Sequence, residues 1–217
     1  MELYIAGGVG EHGRNCFFLQ NEGDAILVDC GLMAGSDDPQ PRLTENQIRK
    51  LKAVFLTHSH ADHTGALPWL LRQGYTGPII ATTPTLQQLP FIVQNAVALE
   101  QVAPRDEKCN GITWGLSGHC EGSVWLKLDW DGKTILFSGD YTEQSAVYPC
   151  DVLRNQVADL AVLDCAYGHD STLWNDSVTA AAAAVENLLE KTPIVFLPVP
   201  KYGRGLDLLL QIRRRLP

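Results

Sequence analysis

The hydrophobic and polar positions in the first quarter of the chain follow patterns typical of β-strands. Apolar runs separated by Gly, Asn and Asp predict strands at 3–6, 15–20 and 25–29, the last two joined by a turn at 21–24. The run at 53–57 is continuously apolar, which indicates a strand buried on both faces.

Further along, strand and helix patterns alternate. A Thr44–Gln47 capping box predicts a short helix ending near Leu51. Apolar residues at helical spacing over 85–102 predict a helix that Pro90 kinks or restarts. The other predicted helices are 66–74, 177–191 and 205–216, and the other predicted strands are 78–82, 160–164, 193–199 and a hairpin over 123–140. Because predicted hairpins come first and alternating strands and helices follow, we expect an α/β fold with helices packed outside stacked sheets.

Composition excludes few classes of function. The chain carries 25 acidic and 17 basic residues, a net charge of −8, so it has no general basic field for nucleic acid. A metal centre with a local basic rim can nevertheless hold phosphates on an acidic protein. The basic cluster at 213–215 is interpreted as a solvated helix face.

The intracellular environment is predicted from the cysteines and the apolar segments. The six cysteines occur singly and several lie in strand-like runs, which indicates buried thiols in a reducing cytosol. The start of the chain lacks a secretory pattern, and no apolar run has the length of a membrane span. We therefore expect a cytoplasmic protein without a membrane partner.

The strongest chemical signal is "THSHADHTG" at 57–65, directly after a predicted buried strand. His58 and His60 are two residues apart, so they point the same way on an extended strand end. Asp62 and His63 follow where the chain turns into a helix, and approach from another angle. Imidazole and carboxylate are the usual zinc ligands outside thiolate sites, so the loop predicts a metal site.

Further ligands should come from distant loops. His119 lies in the glycine-punctuated loop "LSGHCEGS", and Asp140 lies in "FSGDY" at the end of a predicted strand. Loops held at strand ends can aim such side chains into one cleft.

This order of motifs resembles the metallo-β-lactamase fold superfamily, whose fold is a four-layer αββα sandwich with mixed sheets. The resemblance implies that His58, His60 and His119 hold one zinc, while Asp62 and His63 hold a second. It also implies that Asp140 bridges the two metals and that Asp29 in "VDCG" anchors the histidine loop without binding metal.

Three further stretches resemble the β-CASP branch, the ribonuclease J-like and pre-mRNA-cleavage-type nucleases. These are "GGVGEHGRNC" (7–16), "DLAVLDCAYG" (159–168) and "PIVFLPVPKYGRGLDLLL" (193–210). Asp164 stands at the acidic position of the second stretch, and His12 stands where the family usually has an apolar residue. The resemblance implies a metallo-β-lactamase-like domain at 1–168 and an incomplete beginning of a β-CASP-like domain at 169–217.

One ligand that the family uses has no counterpart here. In that family a later histidine completes the second metal site, whereas no histidine follows His169 in this chain. We therefore expect a weak or incomplete second site. His169 itself is a candidate proton donor to a leaving oxygen, because it follows a predicted strand and a glycine. A polar residue at the start of a helix is an equally good interpretation of it.

The combined prediction is a zinc-dependent hydrolase, a ribonuclease acting on RNA through hydroxide generated at a dinuclear centre, with Asp62 and Asp140 in catalytic positions. Manganese is the alternative metal. Two other functions stay open: hydrolysis of a small ester, thioester or lactam, and a catalytically incomplete module that self-associates or is complemented by another chain through its apolar C-terminal helix. Aromatic residues beside basic ones are sparse, and Tyr202 with Lys201 and Arg204 is the best candidate for contact with RNA.

Overall fold

The computed structural model describes residues 1–215, which contain ten strands arranged in two sheets and seven helices. The strands are β1 (Glu2–Gly7), β2 (Cys16–Gln20), β3 (Ala25–Val28), β4 (Leu51–Phe55), β5 (Ile79–Ala81), β6 (Ala96–Ala98), β7 (Ile112–Leu116), β8 (Val124–Trp130), β9 (Lys133–Phe137) and β10 (Leu160–Val162). The helices are α1 (Glu45–Lys50), α2 (Ala61–Thr64), α3 (Leu67–Arg72), α4 (Thr83–Gln88), α5 (Leu99–Val102), α6 (Trp174–Leu189) and α7 (Arg204–Arg215). The predicted helix residue Leu216 lies outside the described residues.

Both sheets are mixed, and their strand directions place several loops at one edge. The first sheet has the order β1-β2-β3-β4-β5-β6, antiparallel up to β3 and parallel from β3 onwards. The second has the order β10-β9-β8-β7, in which β7, β9 and β10 run in the same direction. The carboxyl ends of parallel strands lie at the same edge of a sheet, where sites are commonly built. The loops after β3, β4, β7, β9 and β10 all carry the predicted polar residues.

Alternation along each strand divides the core into two parts. In β2, Phe17 and Leu19 point between the two sheets and pack with residues such as Phe137. Cys16 and Phe18 point to the opposite face, where α1, α3 and α4 cover the first sheet. Burying each large apolar side chain contributes about 1.5–3 kcal/mol, so the two layers together hold the sheets face to face.

The outer face of the second sheet is covered by the irregular segment 141–157. The indole of Trp125 donates to the Asp151 carbonyl at 2.8 Å, and Lys127 donates to the Gln156 side chain at 2.7 Å. The expected α/β fold with two facing mixed sheets is confirmed. Helices flank one sheet, and extended chain flanks the other.

Two predicted elements are wrong in the structure. The stretch 85–102 is not one kinked helix, because Leu89, just before Pro90, takes an extended conformation and ends α4. The chain then adds β6 as a parallel edge strand and continues into α5. The run 193–199 forms no strand with any described residue. Its prolines remove backbone donors, and Phe196 is 89% exposed.

The last two helices form a small unit with its own apolar contacts. Ala182 and Val185 of α6 pack against Ile212 and the half-buried Leu208 of α7. This cluster is separate from the two sheet cores.

Candidate metal centre

The histidine loop follows β4 and is anchored by one buried carboxylate. Asp29, which follows β3, is 1% exposed and has a left-handed backbone with φ of 60°. Its Oδ1 accepts from the Thr57 backbone N–H at 2.8 Å, and its Oδ2 accepts from the Thr57 hydroxyl at 2.8 Å. The same Oδ2 lies 2.7 Å from Nδ1 of His63. A buried carboxylate is stable only when it is paired in this way, and here its partners are both ends of the loop.

Close backbone contact between the loop after β3 and the histidine loop requires a glycine at position 31, the last residue of "VDCG". The Asn15 N–H donates to the Asp62 carbonyl at 2.8 Å, and the Cys30 N–H donates to the His63 carbonyl at 2.7 Å. A Cβ at Gly31 would lie 1.7 Å from the Asp62 carbonyl oxygen, so only glycine permits this approach. The loop that carries the histidines is therefore held by backbone hydrogen bonds on its far side.

Four side chains from three loops form one group: His58, His60, His119 and Asp140, with one potential ligand atom of each lying within 4.8 Å of all the others. Nδ1 of His60 is 3.1 Å from Nε2 of His119, which in turn is 3.3 Å from Oδ2 of Asp140. Nε2 of His58 is 3.8 Å from the same Asp140 oxygen. The loops of His119 and Asp140 are tied together, since the Ser117 hydroxyl donates to the Asp140 carbonyl at 2.7 Å.

One buried polar atom of this group lacks a hydrogen-bond partner among the described residues. His58 is fully buried, and its Nε2 has no hydrogen-bond partner among the described residues. Buried polar atoms are nearly always satisfied, and an unsatisfied one costs about 1–3 kcal/mol. A divalent cation coordinated by this nitrogen would remove that cost. Three imidazoles and one carboxylate are also a donor set that suits such a cation.

The protonation states favour metal binding. Burial lowers the pKa of His58 well below its ordinary value, and it lowers that of His119 to about 4. Both rings are therefore neutral near pH 7 and have a lone pair to donate. Burial alone would raise the pKa of Asp140, but the hydrogen bond from His63 and the positive charge of that ring lower it well below the usual range, so Asp140 is a carboxylate.

Asp62 and His63 lie next to the four-residue group but do not belong to it. Nε2 of His63 is 3.7 Å from Oδ2 of Asp62 and 3.1 Å from Oδ1 of Asp140, and the Asn15 amide nitrogen lies 2.9 Å from it. Burial would lower the pKa of His63, but Asp29 and Asp140 on either side raise it well above its ordinary value. The nitrogen that the resemblance assigns to a second metal therefore already lies within about 3 Å of two protein groups, Asn15 and Asp140, with Asp62 further away.

The other candidate residues occupy different positions. His12 and Asp164 line a cleft of about 400 Å³ beside His63, together with the glycine-rich loop 8–13. The Asp164 carboxylate accepts from the backbone N–H groups of Tyr141 and Ala166. His169 is exposed and makes no hydrogen bond to any described residue. It is not part of the metal-binding group, and its role as a proton donor stays a prediction.

The sequence patterns did not predict the part of the chain that covers His60. The Tyr202 carbonyl lies 3.2 Å from Nε2 of His60, across 142 residues of sequence. When Nε2–H donates to this carbonyl, the lone pair is on Nδ1, the atom that faces His119. No signal in the sequence indicated this contact, because a backbone carbonyl has no side-chain signature.

Comparison with known proteins defines the class of protein. The family model described as the metallo-beta-lactamase superfamily matches residues 9–188. The chain belongs to this superfamily, as its motifs indicated.

Its relatives include transcription termination factors and a ribonuclease. The chain is 41% identical over 249 residues to the transcription termination factor FttA of Cenarchaeum symbiosum, covering 98% of this chain and 39% of that protein. It is 28% identical over 249 residues to FttA of Methanothermobacter thermautotrophicus, covering 96% and 38%. It is 25% identical over 232 residues to ribonuclease TTHA0252 of Thermus thermophilus, covering 96% and 54%. The chain thus spans between two fifths and about half of these relatives, and the resemblance to ribonuclease-type members of the superfamily is confirmed.

Proposed function

We propose that this chain is a divalent-metal-dependent hydrolase that cleaves phosphodiester bonds in RNA. The observation that carries the proposal is the convergence of His58, His60, His119 and Asp140, with the buried Nε2 of His58 left without a protein partner. The ribonuclease named among the relatives supports RNA as the substrate class. Zinc is the metal we expect, since neutral imidazoles and a carboxylate are its usual ligands, and manganese is the alternative.

In this proposal each residue of the group has a defined task. His58, His60 and His119 would hold the first cation, and Asp140, which lies near both His119 and His63, would serve this position and the second one beside Asp62 and His63. A bound divalent cation supplies Lewis acidity toward a phosphoryl oxygen and lowers the pKa of a coordinated water. The Asp140 carboxylate accepts a hydrogen bond from the attacking water and orients it, which a group ionised at all working pH values can do.

We propose further that the second metal position is the weaker one. His63 points Nε2 toward Asp140 and Asn15, and neither Asp62 nor His63 joins the four-residue group. A second cation must displace both contacts of His63, whereas the first replaces the contact between His60 and His119 and also meets an unpartnered nitrogen on His58.

The division into domains is also a proposal. We propose that 1–168 is the metallo-β-lactamase-like domain and that 169–217 begins a β-CASP-like domain. The separate apolar cluster shared by α6 and α7 supports this boundary. Leu206 is 56% exposed on α7, which supports self-association or a complementing chain at that helix.

A cytoplasmic location is proposed on the cysteines. All six are free thiols, as expected for a reducing compartment. No helix in the described part of the chain is long and apolar enough to cross a membrane.

The substrate class is tested by comparing labelled single-stranded RNA with a panel of chromogenic esters and lactams. We expect zinc-loaded protein to cleave the RNA and a chelator to stop the cleavage, since the cations and not a protein nucleophile activate the water. Hydrolysis of the esters or lactams with no cleavage of RNA would contradict the proposal and favour a small-molecule hydrolase.

A further inference from the structure

A basic residue, Arg204, begins α7 directly beside the metal-binding group. The preceding residue, Gly203, has a left-handed φ of +93°, and a Cβ on it would lie 3.3 Å from the His119 carbonyl oxygen and 3.4 Å from Cε1 of His60. The chain therefore passes against the His60 imidazole and the His119 backbone immediately before Arg204. The position of Arg204 at the rim of the site follows from this close backbone approach.

The guanidinium of Arg204 is held in a fixed orientation by aromatic rings. Its central carbon lies 5.1 Å from the ring centroid of Tyr167 and 5.1 Å from that of Trp174. It also donates a hydrogen bond to the Tyr167 hydroxyl. Stacking on aromatic faces restricts a guanidinium without neutralising its charge, so its remaining donors are oriented for a planar or tetrahedral anion.

This cation has no acidic partner within the described residues 1–215. Among residues 1–215, no carboxylate lies within 4 Å of Arg204 or of Lys201, whose ammonium lies 4.9 Å from the ring centroid of Tyr202. Two cations without a carboxylate partner thus lie three residues apart on a chain with a net charge of −8. A charged group that the protein orients but does not pair is available to an anionic ligand.

The neighbouring cleft makes such cations necessary for a polyanionic substrate. It is lined by the carboxylates of Glu11, Asp62, Asp140 and Asp164. A nucleic acid strand that enters beside these carboxylates is repelled by them, and it is attracted by a bound metal and by cations on the rim. Arg204 and Lys201 lie on the His60 and His119 side of the metal group and can supply that attraction.

Resting on the proposed function, we infer that Arg204, assisted by Lys201, binds a backbone phosphate of single-stranded RNA next to the phosphate that is cleaved. Arg204 makes no hydrogen bond to the four metal-binding residues, which places it beside the reacting centre and not in it. The ring of Tyr167 is 61% exposed although Arg204 lies against it, so its free side can stack on a base. Arg204 would therefore favour an RNA strand, which has a neighbouring phosphate, over an isolated phosphodiester, which has none.

The experiment compares two substrates in the zinc-loaded full chain and in Arg204→Gln. One substrate is a labelled single-stranded RNA of 12 nucleotides, and the other is bis(p-nitrophenyl) phosphate, a single phosphodiester with no neighbouring phosphate. We expect Arg204→Gln to raise KM for the RNA about tenfold, because one charge-assisted phosphate contact is lost. The slope of log(kcat/KM) against log salt concentration should become shallower by roughly 0.7, the value for one contact to a single strand. Hydrolysis of the small diester should change less than about twofold.

Two further variants control for fold and for charge. Arg214→Gln makes the same change ten residues further along α7, about 15 Å away, and should leave both substrates unaffected. Arg204→Lys keeps the charge but loses the planar fork, and should lie between the wild type and Arg204→Gln. A thermal melt of each variant checks that the fold is retained.

Specific outcomes would overturn the inference. An unchanged KM and salt slope for RNA would show that Arg204 contacts no phosphate, and an equal loss on both substrates would show that it only supports the metal-binding group. Binding of the labelled RNA, followed by fluorescence anisotropy, separates this inference from the proposed function. If the wild type binds RNA through Arg204 but cleaves only the small diester, then the inference stands and the proposal of RNA cleavage fails.

Discussion

Replacing His60 with alanine should abolish hydrolysis and remove the tightly bound metal while the protein stays folded. His60 supplies one of three imidazoles to the four-residue group, and its Nδ1 lies 3.1 Å from Nε2 of His119. Loss of a ligand removes a cation that contributes several kcal/mol to transition-state stabilisation, so activity should fall at least about 1000-fold. His60 precedes α2 and is only partly buried, so the fold does not depend on its packing.

The measurement is zinc content after dialysis together with RNA cleavage. The wild type should retain one zinc per chain and His60→Ala should retain close to none, with an unchanged circular dichroism spectrum. His12→Ala is the matched control, because His12 lines the cleft but does not belong to the metal-binding group. Activity that survives in His60→Ala would show that the mechanism is wrong. Two tightly bound zincs in the wild type would contradict the weak second position.

Replacing Asp29 with alanine should destabilise the protein by about 3–5 kcal/mol, although Asp29 itself is not expected to bind metal. The change leaves the Thr57 backbone N–H, the Thr57 hydroxyl and Nδ1 of His63 without their acceptor inside a buried region. For a chain of this length that corresponds to a fall in melting temperature of roughly 10 °C. Because the histidine loop loses its anchor, zinc affinity should fall as well.

Thermal unfolding and zinc binding, measured on the same samples, test this prediction. Asp29→Asn keeps a carbonyl oxygen for the Thr57 N–H and should be intermediate. Asp37→Ala is the control, because it makes the same change of residue type in an exposed loop. It should change stability by less than about 0.5 kcal/mol. If Asp29→Ala melts like the wild type, then the loop does not depend on this anchor.

The local features of the fold were predictable because short-range chemistry decides them. Thr44 and Gln47 form the expected capping box, and the turn of the predicted hairpin places Asp131 and Gly132 at positive φ. The histidine loop was predictable for the same reason, since the ligand types are contiguous and follow a buried strand. His119 and Asp140 were candidates because each lies in a loop at a strand end, but assigning them to particular metals required the resemblance to a family, because their own segments do not indicate which loops meet.

The long-range features were not predictable in this way. The approach of Tyr202 and Gly203 to His60 depends on where α7 packs. Every residue has a backbone carbonyl, so the residue types give no signal for this contact. The run 193–199 has strand composition, yet composition cannot supply a neighbouring strand edge to pair with. The short strand β6 was missed because it lies inside a longer apolar stretch whose spacing also suits a helix.

The central claim is that imidazoles from two separate loops, with a carboxylate from a third, bind one divalent cation. X-ray absorption at the zinc edge of the loaded wild-type chain tests it most directly. We expect nitrogen and oxygen ligands at about 2.0–2.2 Å with several histidine rings. Cys120 adjoins His119 and Cys165 lines the cleft, but neither belongs to the four-residue group, so sulfur ligands are not expected. Sulfur ligands at about 2.3 Å, or no bound zinc, would contradict the account.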